Sequence, residues 1–583
     1  MPSPRVILPL ILLALVLAGC GSGGGGGGGG APAAPAFPAT PPVTLAGMVT
    51  YDHVPTSASG LDYGATASRP VRGAVVEIRN TAGTSVYARA STNASGAYSI
   101  QAPGSTSILV VVLAALGDPA APNARVVDNT SGGLTYGVYQ AKATTVANET
   151  GVNLHAASGW GGSSYTAPRV AGPFAILDVV YRAQALVRAA DAAVTFPALR
   201  VNWSPANTLA SIETSYFDPN TGELFILGGA DEDTDEYDDH VVAHEWGHWF
   251  ESNFSRSDSL GGGHTGGDIL DETVAFGEGF GNALSGMIMG DPMYRDTSGV
   301  GQAQTRVLLD LETDAISEFD TVGNTANPPT ADGRRLDGAW SETSVQELLW
   351  DIYDGPDTTA DADSDGVALG FTPVYQVLIG SQRTFPGFTS IYSFLHFLKL
   401  ANPGRSAAIV TLEANENIGA HDAYEESARR RYTVLPSNGT TVTMGVDGRA
   451  LSTEATYGTI DDYGGNMLYN RLFFRVEAPS SGTWRIRATP NNASHDVAIT
   501  RGGGLSPQLI DDFFGGSERG DVIATAGQPL VFSVRSFPIT GNPSGVGNPS
   551  GVTPFSIRFG TPLQVAKPQP APAPTTAAPV SNG

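Results

Sequence analysis

Residues 235–254 read Asp-Glu-Tyr-Asp-Asp-His-Val-Val-Ala-His-Glu-Trp-Gly-His-Trp-Phe-Glu-Ser-Asn-Phe. Within this stretch His244, Glu245 and His248 fit the pattern His-Glu-x-x-His. On a helix the i, i+4 spacing puts both imidazoles on one face, about 5–6 Å apart, close enough to share one tetrahedral cation. Glu245, one step along, then lies beside the metal's open position, where it can take a proton from bound water. With 9 histidines in 583 residues, chance supplies roughly 0.005 copies of this pattern. The neighbourhood supports a helix. Asp235, Glu236, Asp238 and Asp239 crowd its first turns, against the positive end of the macrodipole, and Val241, Val242 and Ala243 supply a buried flank. Gly247 inside a helix costs about 1 kcal/mol relative to Ala, and a close packing contact below the metal would explain it.

The third ligand decides the subclass. A metzincin needs Gly and His at the seventh and tenth positions after His244, and this chain has Glu251 and Phe254 there. That subclass is excluded. A second helix is expected over 271–289, carrying Glu272 and Glu278. Six residues at about 100° each turn these two onto different faces, so at most one points at the metal. Glu278 sits in Phe276-Gly-Glu-Gly-Phe-Gly-Asn282, where glycines let a neighbouring helix approach. Asn282 is four residues on, placed to hydrogen-bond a ligand histidine. Glu278 is therefore preferred, with Glu272 and Asp268 as alternatives.

Gly277-Glu-Gly-Phe280, then Gly338-Ala-Trp-Ser-Glu-Thr-Ser-Val-Gln-Glu-Leu-Leu-Trp350, follow the His-Glu-x-x-His segment in order. Over about 235–355 the chain resembles the fungalysins of the thermolysin-like (gluzincin) clan. The resemblance implies a zincin-like catalytic domain, with His244, His248 and Glu278 as Zn²⁺ ligands and Glu245 as general base. It also implies a polypeptide substrate. One feature departs from the family. Its members carry a His or Tyr that stabilises the oxyanion, but Asp332-Gly-Arg-Arg-Leu-Asp-Gly338 contains no histidine. Arg334 and Arg335 can donate to an oxyanion, and His264 can swing in from Gly261-Gly-Gly-His-Thr-Gly-Gly267. The commoner reading of His264 is an exposed loop histidine, and that of Arg334 and Arg335 is surface pairing with the abundant carboxylates. Trp249 and Trp340 read as core or cleft wall. Asp361, Asp363 and Asp365, with Gly366, alternate like a Ca²⁺ loop, although Thr372 stands where an EF-hand needs Glu. The run Asp231-Glu-Asp-Thr-Asp235 lacks the turn glycine and reads as capping.

At the N-terminus Arg5 precedes the apolar run Val6–Ala18, too short to cross a bilayer as a helix, which takes about 20 residues. The ending Leu17-Ala-Gly-Cys20 resembles the lipobox of bacterial lipoproteins and implies acylation at Cys20. Gly21 follows, without the Asp that retains some lipoproteins at the inner membrane, so an outer-membrane or cell-surface location is expected. Gly23–Gly30 and the Ala/Pro-rich stretch after it form a tether. The expected architecture is multidomain: a β-sandwich, an α+β zincin-like domain and a C-terminal β-sandwich. By residue it runs 1–19 signal peptide, 20–43 tether, 44–157 sandwich, 158–436 peptidase domain, 437–562 sandwich and 563–583 tail. In the first, Ala74, Val76 and Ile78 alternate with Glu77 and Arg79. Arg69-Pro-Val-Arg-Gly-Ala-Val-Val-Glu-Ile78 and Ser95-Gly-Ala-Tyr-Ser-Ile100 resemble the carboxypeptidase regulatory-like domain, which says little of activity. Residues 172–193 show the helical stripe Ile176, Val180, Ala183, Val187. Leu199–Trp203 reads as a strand and 215–227 as a hairpin, and helices are expected from there to about 430.

A net charge of −25 and a pI near 4.6 argue against nucleic acid, whose phosphates need a basic face. One cysteine excludes a disulfide framework and a thiolate metal cluster. Two classes of function remain. One is a monomeric, lipid-anchored zinc endopeptidase that holds its substrate extended along an edge strand near Phe225–Gly229. The other is a surface adhesin or binding lipoprotein with a vestigial metal site, which the missing oxyanion histidine would favour.

Overall fold

A computed structural model describes residues 5–6, 40–264, 268, 270–312, 337–355, 367–424, 432–447, 466, 468, 471–491, 495–503, 508–510, 517–538 and 552–562. Cys20, Arg334, Arg335, Asp361, Asp363 and Asp365 lie outside these residues, as do the glycine tether and the tail from 563. The chain forms two compact units interleaved in sequence. Residues 1–257, 276–383 and 398–417 make one, and 258–275, 384–397 and 418–583 the other. Among the described residues no helix is long and apolar enough to cross a membrane.

The first unit is built on a ten-stranded sheet. Its spine follows from apolar runs such as Ile108–Val112, buried along the strand Ile108–Asp118. Across the sheet the order is Gly137–Lys142, Ile108–Asp118, β1 (Ala121–Asp128), β2 (Leu199–Trp203), then β4 (Glu223–Ile226) and last β3 (Tyr216–Asp218). Val126 of β1 stands opposite Val201 of β2, and Val201 opposite Leu224 of β4, in parallel register. Hydrogen bonding is thus continuous across residues 157/158, where composition suggested a domain boundary. Parallel neighbours need a long crossover. Here it carries α1 (Gly172–Ala190), whose Ile176, Val180, Ala183 and Val187 are buried as the stripe requires.

Two polar residues sit deeper than alternation suggests. Glu77 is buried between Arg79 and Arg89, the latter at 2.9 Å. Asp178 of α1 is buried against a two-pronged contact from Arg72 at 2.6 and 2.7 Å. Pairing to Arg offsets the desolvation that otherwise keeps carboxylates outside.

The site-bearing part adds three helices, α2 (Asp239–Phe254), α3 (Glu272–Met289) and α4 (Glu342–Tyr353). It also holds a small sheet that the helical expectation for 227–430 missed. In it Gly228–Gly229 pairs with β5 (Asp233–Thr234), β5 with β6 (Met293–Ser298), and β6 with β7 (Gln304–Asp310). The edge-strand expectation also needs correction. β4, which contains Phe225, lies between β2 and β3, so that part is not an edge; Gly228–Gly229 does form an edge, but of the small sheet. The edge of the large sheet is β3, the other arm of the hairpin.

The second unit ends in two sheets of five and four strands. Phe474, Trp484, Ile486, Phe532, Phe555 and Phe559 fill a shared apolar core, as inward-facing alternate residues of a sandwich do. Arg471 is buried, held by Asp271 at 2.7 Å and by Thr273.

Candidate metal centre

α2 brings His244 and His248 to one face one turn apart, and α3 crosses against it. The closeness of that crossing comes from glycine. A Cβ on Gly247 would meet the Gly281 Cα at 3.3 Å, and a Cβ on Gly281 would meet the His244 ring at 2.8 Å. On the far side of α3, a Cβ on Gly279 would strike Val345 at 2.6 Å, so α4 packs equally close. A methyl group at Gly281 or Gly279 would force its neighbour to move, while one at Gly247 would be only tight.

Three ligand atoms converge at this crossing. His248 Nε2 lies 2.9 Å from His244 Nε2. Glu278 Oε2 lies 3.4 Å from His244 Nε2 and 3.3 Å from His248 Nε2. Neither Glu272 nor Asp268 belongs to the group. Two donors at about 2.05 Å from one ion, at the tetrahedral angle, stand about 3.3 Å apart. The triangle of two imidazoles and a carboxylate therefore fits Zn²⁺ in size and donor type, with a fourth direction left over.

A chain of hydrogen bonds sets the His244 tautomer. Asn282 Nδ2 donates to Gln346 Oε1 of α4 at 2.8 Å, which turns Asn282 Oδ1 toward His244 Nδ1 at 2.7 Å. Nδ1–H is then the donor, and the Nε2 lone pair faces the cluster. Gln346 went unnoticed in the sequence, where the signal is a Gln at i+4 from Glu342 in the segment that resembles the fungalysin helix; its full burial shows only in the fold. Burial alone would push the His248 imidazole down, but Glu278, with Glu245 and Glu251 beyond it, pushes it up to about 9. Without a cation the triad is thus an ion pair.

Glu245 is buried beside the triad. Desolvation raises its carboxyl above the usual carboxylate range, against the pull of His244 and His248 and of the nearby Phe217 backbone N–H. Phe217 is the middle residue of β3. A carboxyl held between the two histidines and an edge strand can accept and return a proton where an extended chain would lie.

The remaining residues singled out by sequence fall elsewhere. His264 bonds the carbonyl of Gly262 in its own loop at 3.1 Å and contributes no atom to the cluster. Trp249 and Trp340 are buried. Asp238, the residue before α2, makes no side-chain cap; its carboxylate instead accepts from the backbone and hydroxyl of Thr297.

The site lies inside a recognised family segment. Residues 188–386 match the family described as "Mycolysin C-terminal domain". The match takes in α2, α3 and α4 and relates this part of the chain to secreted metallopeptidases. A comparison with curated proteins finds no match. Among solved structures, the pre-peptidase C-terminal domain of a collagenase from Bacillus anthracis is 7% identical, covering 22% of this chain and 98% of that one, with a TM-score of 0.15. CorA, a surface-associated copper-binding protein of Methylomicrobium album, is 10% identical over 23% of this chain and 98% of its own, also at 0.15. TM-scores this low carry no argument about this chain.

Proposed function

We propose that this chain is a zinc-dependent endopeptidase, anchored outside the cytoplasm through an acylated Cys20, with a zincin-like core around the candidate centre. The observation that supports it most is the triangle of His244, His248 and Glu278, sized for Zn²⁺ and backed by Asn282 and Gln346. The Mycolysin C-terminal domain match over the same residues adds to it. His244, His248 and Glu278 would hold the ion. Zinc there would act as a Lewis acid toward a peptide carbonyl and make water acidic near neutral pH.

The rest falls to the chain itself. Glu245 takes the proton of the attacking water and delivers it to the leaving amine, the two-way role a general base plays in hydrolysis. In an antiparallel pair a residue's N–H and C=O point the same way. The Phe217 N–H acts on Glu245, so its C=O also faces outward from β3. An extended peptide laid along β3 by strand addition is thereby brought to the catalytic carboxyl.

The test is Glu245→Gln. Glu245 is not a ligand, so zinc content should match wild type while casein hydrolysis falls at least 100-fold, the low end of a general base's contribution. Equal activity in the two proteins refutes the mechanism. Zinc binding with no hydrolysis in the wild type points to the binding-lipoprotein reading instead.

A further inference from the structure

We propose that Asp233, Asp235, Asp238 and Asp296 hold a calcium ion that ties the start of α2 to the β6–β7 hairpin. Each of the four carboxylates places an oxygen within 4.8 Å of the others. Two ligands of one Ca²⁺, each about 2.4 Å away, are at most about 4.8 Å apart. Asp233, Asp235 and Asp238 are 2%, 3% and 0% exposed, so water does not neutralise them.

The hydrogen-bond inventory points the same way. Asp235 Oδ2 accepts from the Ser215 hydroxyl, Asp233 Oδ2 from Arg306 at 3.3 Å, and Asp238 from Thr297. Asp233 Oδ1, Asp235 Oδ1 and Asp296 Oδ1 are buried and accept from no N–H or hydroxyl, and without a cation Asp233 and Asp235 can meet only by sharing a proton. Arg306 brings one positive charge against four carboxylates, from a side chain 53% exposed. Buried carboxylates that repel one another, with oxygens converging to within 4.8 Å, call for a cation. An all-oxygen, all-carboxylate set selects a hard ion over zinc. Mg²⁺ binds in a strict octahedron that keeps several waters, whereas Ca²⁺ accepts six to eight oxygens, some bidentate, in irregular shells.

The four residues come from β5, the short turn after it, the residue before α2, and β6. A cation there fixes the entry of the helix that carries His244. The site is separate from the zinc triad, and the inference stands whether or not the chain is a peptidase.

The test uses the full chain, stripped with chelator and given one equivalent of zinc. Calorimetric titration with CaCl₂, with MgCl₂ as control, should show one more calcium bound per chain in wild type than in Asp235→Asn or Asp296→Asn. At a hundredfold excess over Kd, calcium should raise the wild-type folding constant about 100-fold, with little effect on the variants. In calcium-free buffer the ranking should reverse, the variants being at least as stable because each removes a repelling charge. Asp296 is only half-buried and on a strand, so Asp296→Asn decides if the buried variant fails to fold. Equal calcium stoichiometry in wild type and Asp296→Asn overturns the proposal, as does equal stabilisation by calcium.

Discussion

Gly281→Ala should weaken zinc binding without replacing a ligand. The added Cβ would stand 2.8 Å from both Cε1 and Nδ1 of His244 and 3.1 Å from Cγ. Carbon contacts settle at about 3.5–4.0 Å, so the ring or the helix must move by roughly 0.7 Å or more. Ligand distances in metal sites hold to about 0.2 Å. The same shift stretches the 2.7 Å bond from His244 Nδ1 to Asn282. Gly247→Ala is the control. Its Cβ meets Gly281 Cα at 3.3 Å, a conflict relieved by a few tenths of an ångström. Competition with a chromophoric chelator should show Gly281→Ala at least ~10-fold weaker for zinc, the scale seen when a supporting partner is lost, and Gly247→Ala much closer to wild type. Unfolding in excess chelator separates the metal effect from overpacking, which costs about 1–3 kcal/mol on its own. Wild-type zinc affinity in Gly281→Ala, or an equal loss in both variants, would show that the helix crossing does not position His244.

Glu278→Ala should lose zinc on dialysis while Glu272→Ala keeps it, because only Glu278 puts an oxygen beside both histidines; metal content of the purified variants decides. Asn282→Ala should weaken zinc about 10–100-fold, and Gln346→Ala less, since it acts through Asn282; a larger loss in the second would break the inferred order of the hydrogen-bond chain. Stripped of cations, the chain should lose stability as pH rises. Burial and Asp233 push the Asp296 carboxyl up to about 7, so between its ordinary pKa of about 3.9 and 7 the folded chain holds a proton that the unfolded chain has lost. That group's contribution to stability is lost across this window as pH rises. His248, raised to about 9, adds loss of the same sign between about 6.5 and 9. Urea unfolding in chelator at pH 5, 7 and 9 measures this, and a rise in stability with pH would contradict it.

Much of this architecture is legible wherever one element's period carries the information. The 3.6-residue period puts His244 beside His248 and Asn282 on the face of Glu278, and the apolar runs mark α1 and the strand at 108–118. What stays hidden depends on partners distant in sequence. Alternation places Glu77 outward because the pattern cannot see Arg89 arriving from the next strand. The hairpin at 215–227 is visible in its turn residues, but which arm forms the sheet edge depends on β2, which precedes the hairpin and pairs with β4. The stretch from 293 to 310 has too little alternation to mark two strands: three residues of β6 and β7 together are buried.

The acidic run before α2 shows how the two kinds of information conflict. Taken alone, Asp233, Asp235 and Asp238 have a sufficient local explanation, since carboxylates near a helix N-terminus gain about 0.3–1 kcal/mol each from the macrodipole when exposed. That explanation requires solvent. The fold buries the residues and adds a fourth carboxylate, Asp296, from a strand 58 residues beyond Asp238. Desolvating a carboxylate costs several kcal/mol, far more than the macrodipole returns, and Arg306 supplies one half-exposed positive charge against four of them. Asp238 makes no cap at all, so the local benefit is forgone while the cost remains. Four acids retained in such a place are better explained by a bound cation than by capping, and the calcium titration of Asp296→Asn separates the two, because an exposed capping run would respond to salt and not to calcium in particular.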